Sequence, residues 1–330
     1  MWGCSNGQKT PNAEQADTPK ANSAESDAAK ARREGANGAE ARSGKPLKVE
    51  IHNVLFHLTD RSGAKLESVS GELWPVGKYE FVVFDDKTSF EMHVVNGTMS
   101  IRPEALADVM NSYVFARSDA PLKDISIAIQ NDHLIVKGKL HSKGDVPFET
   151  GGTLSADPDG RLRMNTERVK AMHVPVKGVM GLFGIDLAKI INTSKIAGMD
   201  TDKNDLLMDL GELLPPPHIR GQVMSVRLLN NAIVTTFGDG GKSEGNETGN
   251  YMRFEGNRVQ FGKLTMDNTD LTLIDLDPGD PLDWDQDHYK EQLMEGYSKI
   301  KGNFGLQTYV KDYGKLKRPS QTKVAAIPEN

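Results

Sequence analysis

The strongest constraint on this chain is a recurring strand grammar: short runs of alternating apolar and polar residues, separated by two-residue turn signals. Phe90, Met92 and Val94 alternate with Glu91 and His93 ahead of Asn96-Gly97, and Met99 and Ile101 follow. Ile125, Ile127 and Ile129 alternate with Ser126, Ala128 and Gln130 ahead of Asn131-Asp132, and Leu134, Val136 and Leu140 run back. The pattern recurs with Val226 and Leu228, Asn230-Asn231, then Ile233, Thr235 and Phe237. It recurs again with Met252 and Phe254, Gly256-Asn257, then Val259, Phe261 and Leu264. Alternation of period two lays one face of each run on a core, and dipeptides of the Asn-Gly type supply tight hairpin turns. Four such units predict a mostly β, α+β fold built on a long antiparallel meander of hairpins.

Further strands are expected at 47–58, 66–73, 148–156 and 162–174, the last two joined by the turn Asp157-Pro158-Asp159-Gly160. Three helices are expected. One covers 103–115, opened by Pro103 at a first-turn position. One covers 176–192, where Val176, Val179, Met180, Phe183, Leu187, Ile190 and Ile191 form a stripe interrupted by Gly178, Gly181 and Gly184. The third covers 285–300, with Tyr289, Leu293, Tyr297 and Ile300 facing inward.

The N-terminal leader is different in kind. From Ser5 to Pro46 there is no Val, Ile, Leu, Met, Phe, Tyr or Trp. Such a segment cannot bury enough apolar surface to offset the entropy of ordering it, so residues 1–46 are expected to be a disordered linker. About 285 residues remain, enough for one large β domain or two smaller ones. The organisation expected is a β domain at 47–238, a Gly-rich mobile loop at 239–250, an extension of the same sheet with a helix at 251–317, and a tail at 318–330. A net charge of −6 argues against general nucleic-acid binding.

The chain has one cysteine, Cys4, so an internal disulfide and a thiolate metal site are excluded. Cys4 follows Gly3 and heads the polar linker, the arrangement of a bacterial lipoprotein after its signal is removed; only Met1 and Trp2 precede Gly3. The competing reading is a chance cysteine in a tail.

The densest polar constellation is Asp275, Asp277, Asp280, Asp283, Asp285, Asp287 and His288. Asp277, Asp280 and Asp283 are the residues through which it could hold Ca²⁺, although the spacing is not that of an EF-hand. The simpler reading is a Pro-Gly turn leading into a helix whose N-terminus favours carboxylates. No P-loop, dinucleotide or nucleophile-elbow motif is present, so no cofactor or catalytic group is assigned. A hydrolase built on the acidic cluster is the least favoured reading. The run Val176 to Ile185 is either buried core or an adaptable apolar wall, since glycine permits bending and Met and Phe give soft contact.

Residues 90–238 resemble the bacterial LmeA-like phospholipid-binding family, itself similar to tubular lipid-binding (TULIP-like) domains. The order of features carries the likeness: strand, Asn96-Gly97, strand, Pro103 and helix; Asp124 to Ile129 with Leu134 to Gly138; Asp159 to Met164; the glycine-punctuated apolar helix; and the strands of Val223 to Phe237. The resemblance implies a long curved antiparallel sheet wrapped around two or three helices, enclosing an apolar groove for acyl chains, with no catalytic residues. Residues 47–89 and 250–330 have no counterpart in it.

The expectation is a non-enzymatic, periplasm-facing protein of the bacterial cell envelope. It would be anchored to the membrane through Cys4 and would hold a phospholipid or other acyl-chain ligand. Groove candidates are Met92, Val94, Ile127, Ile129, Val176, Val179, Met180, Phe183, Leu187 and Ile191. The competing reading is a structural or interaction protein of the envelope with a filled core. The sequence names no protein partner.

Overall fold

Alternation becomes β-structure along most of the described residues, but the strands are longer and less local than hairpins alone would make them. The computed structural model describes residues 42, 44–141, 145–167, 170–171, 193, 196–203, 205–229, 231–240 and 249–317, all within the unit 41–330. Cys4, most of the leader, the expected helix at 176–192 and the tail from 318 lie outside the described residues.

In chain order the first elements are β1 (Leu47–Thr59), β2 (Ser62–Pro75), β3 (Val82–Val83), β4 (Phe90–Ile101) and α1 (Pro103–Val109), which runs on into a π-helical turn, Met110–Val114. Then come β5 (Leu122–Gln130), β6 (His133–His141), β7 (Asp145–Ala156), β8 (Leu162–Thr166), β9 (Lys170–Ala171), β10 (Met199–Asp202) and β11 (Asp205–Met208). A short helix α2 (Leu210–Leu213) precedes β12 (His218–Arg220), β13 (Val223–Leu229) and β14 (Ala232–Phe237). The last part holds β15 (Tyr251–Gly256), β16 (Val259–Phe261), β17 (Leu264–Met266), β18 (Thr269–Asp275), β19 (Leu282–Trp284), α3 (Tyr289–Met294), β20 (Tyr297–Ile300) and β21 (Leu306–Val310).

These strands form two large antiparallel-rich sheets and a small one. The larger runs β13-β14-β4-β2-β1-β15-β18-β21-β20, with β12 beside β4 and β19 beside β1 in parallel. The second runs β10-β11-β8-β7-β6-β5, with β9 on β7; β17-β16-β3 is the third. Residues 47–89 and 250–317 are therefore integral to the fold. β1 and β2 stand between β4 and β15, so the larger sheet is continuous only through them.

Two hairpin expectations fail for a common reason: another strand competes for the edge. Asn96-Gly97 is not a turn. β4 passes straight through it, pairing with β2 on one side and β14 on the other, and the extra residue is absorbed as a bulge at Val95. Gly97 (φ +156°) suits the crowded crossing, where a Cβ would stand 2.6 Å from the Ser68 carbonyl oxygen. Gly256-Asn257 does not fold β16 onto β15 either, because β15 is already flanked by β1 and β18. The hairpin at Asn131-Asp132 is present, with φ of +49° and +62° at the two turn residues. So is the one ending at Asn231, and the turn at Asp157–Gly160 joins β7 to β8. Of the strand expected at 162–174, the described residues form β8 and β9, and 168–169 and 172–174 lie outside the described residues.

The third expected helix is shorter than its periodicity suggests. Only Tyr289–Met294 is helical, and Tyr297–Ile300 is an edge strand with both Tyr297 and Ile300 exposed rather than inward. The helix is capped at Glu295, and Gly296, where a Cβ would collide with the Tyr309 carbonyl oxygen, lets Tyr297 pair with Tyr309 of β21. The linker boundary also moves: Arg42 bridges Val76, donates to His93 at 2.9 Å and lies 4.9 Å over the Trp74 ring.

Two apolar cores follow from the two sheets. The first centres on aromatic packing: Phe84 stacks on Phe261 at 3.8 Å and meets Phe90 and Phe254 at 5.5 and 5.3 Å. The second gathers Met110, Phe115, Leu122, Ile125, Leu134, Phe148, Met164 and Leu213 between α1 and the inner face of the second sheet. Ile101, Leu210 and Val226 pack against both.

Candidate apolar site

The second core encloses a hollow. Leu106 and Met110 come from α1 and the turn after it, where a helical spacing of four residues puts both on one face. Leu122, Ile125 and Ile127 of β5, Leu134 and Val136 of β6, and Phe148 and Leu154 of β7 form the sheet wall. Met164, Met199, Leu206 and Met208 close the far side. Every lining residue is apolar, and four are methionines, whose unbranched side chains repack readily. The space left is about 70 Å³. That is less than half of the roughly 150 Å³ that accepts a benzene molecule in an engineered core. A second void, about 30 Å³, lies in the first core between Met92, Phe84, Phe90 and Trp284.

The expected groove residues are divided between these places. Met92 and Val94 belong to the first core, on the larger sheet, and Met92 lines the smaller void. Ile127 lines the hollow, and Ile129 packs against the same second core. The structure therefore does not bring the β4 and β5 candidates onto one wall. Val176, Val179, Met180, Phe183, Leu187 and Ile191 lie outside the described residues, as does Cys4. Leu106, Met110, Phe148, Met164 and Met208 were not singled out as lining residues. Leu106 and Met110 carry a signal, since they are apolar and four residues apart within the helix expected at 103–115.

The acidic cluster is taken up by the chain itself. Asp277, Asp280 and Asp312 place carboxylate oxygens within 4.8 Å of one another, and the ammonium of Lys315 sits among them at 2.8, 3.2 and 2.8 Å. Asp283 is not part of this group. Its Oδ1 accepts from His57 Nε2 at 2.6 Å and its Oδ2 from the Gly314 amide at 2.9 Å. Asp285 accepts from the amides of Asp287 and His288 and from the His288 ring. Asp275 accepts from Asn250, and Asp287 from Lys87. The expected Ca²⁺ trio of Asp277, Asp280 and Asp283 is thus split, and a lysine occupies the place of a cation.

Two charged clusters brace the larger sheet. Burial alone would raise the Glu91 carboxyl, but hydrogen bonds from His93 and a bidentate clamp from Arg220 hold it down at about 2. Arg220 also reaches Glu212, tying β12 to α2. Burial alone would lower His57, yet its bond to Asp283 and the charges of Asp283 and Asp285 keep its imidazole above the ordinary value. Both His57 nitrogens have protein partners, the second being the Thr59 carbonyl at 3.3 Å.

No protein-family model, curated protein or solved structure matches this chain. What the architecture defines is a mostly β, antiparallel-rich protein with few helices. Among the described residues no helix is long and apolar enough to cross a membrane.

Proposed function

We propose that this chain is a non-enzymatic lipid-handling protein of the bacterial cell envelope, tethered through Cys4, that accepts an acyl chain in the hollow of its second sheet. The supporting observation is the wholly apolar, methionine-rich lining of that hollow, from Leu106 and Met110 across to Met164 and Met208. An acyl chain leaving water for such a wall gains about 0.8 kcal/mol per buried methylene. At about 70 Å³ the hollow holds only a few methylenes, so binding requires the methionine wall to repack outward. The experiment is native mass spectrometry of the protein recovered from its own membranes. Copurified phospholipid, retained at stoichiometric level and lost on delipidation, is the expected result. A lipid-free mass in every preparation sinks the reading.

The small volume favours one alternative, an envelope protein whose core is filled and which acts through its surface. That reading expects no lipid in the same measurement and no uptake of a fluorescent lipid afterwards.

A further inference from the structure

The C-terminal hairpin carries apolar side chains where the fold has no use for them. Of the ten large apolar residues exposed among the described residues, four lie within 294–304: Met294, Tyr297, Ile300 and Phe304. Phe304 is 91% exposed and Ile300 76% exposed. Ile300 and Phe304 sit at the tip of the β20–β21 hairpin, Tyr297 lies at its open end opposite Tyr309 and Met294 closes the helix before it, and β20 is the terminal strand of the larger sheet.

From this we propose that the tip of the β20–β21 hairpin is a membrane-contacting wedge, which sets Phe304 and Ile300 into the headgroup–acyl boundary of an anionic bilayer. The proposal does not rest on acyl-chain binding in the hollow. Three features favour a bilayer over a protein groove or a second copy. The tip is a turn rather than a flat face, and two backbone bonds hold it: the Lys301 amide donates to the Gly305 carbonyl at 2.7 Å and the Phe304 amide to the Lys301 carbonyl at 3.0 Å. The headgroup–acyl boundary still offers water to the remaining amides of the turn, so only the side chains of Ile300 and Phe304 need leave it. Lysines flank Ile300 on both sides, and Lys299 makes no ion pair among the described residues. Its ammonium rests 5.3 and 4.8 Å over the stacked rings of Tyr297 and Tyr309, a Lys–Tyr grouping suited to headgroup depth. The one carboxylate bonded at the turn, Asp270, is engaged by Lys301 and Asn303. The chain as a whole carries −6, which an anionic surface repels, so this locally basic tip also orients the approach.

Phe304 holds φ +66°, a conformation that glycine adopts freely and a bulky residue does not. A Phe304→Gly chain should therefore fold at least as well as the wild type, which separates membrane contact from folding. The test is cosedimentation of the full chain with vesicles of 3:1 phosphatidylcholine:phosphatidylglycerol, beside vesicles of pure phosphatidylcholine. The wild type should partition onto the anionic vesicles, more weakly as salt rises. Phe304→Gly should lower the partition coefficient on the order of tenfold, and Lys299→Gln should lower it on anionic vesicles alone. Met224→Ser, at an exposed methionine on β13, should leave it unchanged. Wild-type chain that stays in the supernatant, or equal partitioning of wild type and Phe304→Gly, overturns the proposal. So does a dimer in light scattering that Phe304→Gly dissociates while vesicle binding persists, since the tip would then be a contact between copies.

Discussion

Arg220 shows how much one side chain can hold together. Its guanidinium meets Glu91 through two hydrogen bonds of 2.8 and 2.7 Å and Glu212 through a third contact at 2.8 Å. Removing it leaves a buried carboxylate without its cation, so Arg220→Ala should cost about 3–5 kcal/mol in urea unfolding. Glu91 ties stability to acid: with a folded value near 2 against an unfolded value near 4.5, its contribution is present above pH 4.5 and lost as pH falls towards 2. His57 runs the other way. Its folded value is raised, so its contribution is full below about pH 6.5 and disappears as pH rises through the folded value. His57→Gln should lower the melting temperature most near pH 5.5, with the deficit shrinking towards pH 9. A deficit that is constant across that range would show that the pair contributes through packing alone. The acidic run at 275–287 was plain in the sequence. Its partners were not, because His57 and Lys87 lie some two hundred residues away in the chain.

At the scale of elements, strand positions were legible and strand partners were not. Alternation marks which residues face a core, but a two-residue turn signal does not say whether a longer-range strand will take the edge first. Asn96-Gly97 reads locally as a hairpin, yet β2 and β14 hold β4 straight through it. The glycine is required by the crossing strand, not by a turn. Gly97→Val should destabilise the fold by about 1–3 kcal/mol in urea unfolding, whereas a hairpin-turn glycine replaced by Asn would be nearly neutral. Helix 285–300 failed for a similar reason. Tyr289 and Leu293 do face inward at helical spacing, but Tyr309 captures Tyr297 into a ladder and leaves Ile300 at an exposed tip. Asn53 marks a comparable handover, invisible in the sequence. At its φ of +51°, β1 leaves β15, begins its parallel pairing with β19, and moves its buried positions from Ile51 to Val54.

For the whole molecule, the mostly β architecture with few helices was legible from composition and period. The division into two cores was not, since β4 pairs with β2 and β14 in one sheet while β5 opens a separate one, and the first of these sheets is itself assembled by pairing across about two hundred residues. That division removes Met92 and Val94 from the hollow and leaves Ile127 on its wall. The proposed acyl-chain site accordingly lies in the second sheet alone. The most direct measurement is titration of the delipidated protein with a pyrene-labelled phospholipid, wild type beside Ile127→Trp. Ile127 is only part-buried and lines the hollow, so a bulkier ring there fills it at modest cost to the fold. Saturable binding by the wild type, weakened at least tenfold in Ile127→Trp with the melting temperature held, is the predicted result. Wild-type and variant curves that coincide, or no saturable binding by either, would contradict an acyl-chain site in the second sheet.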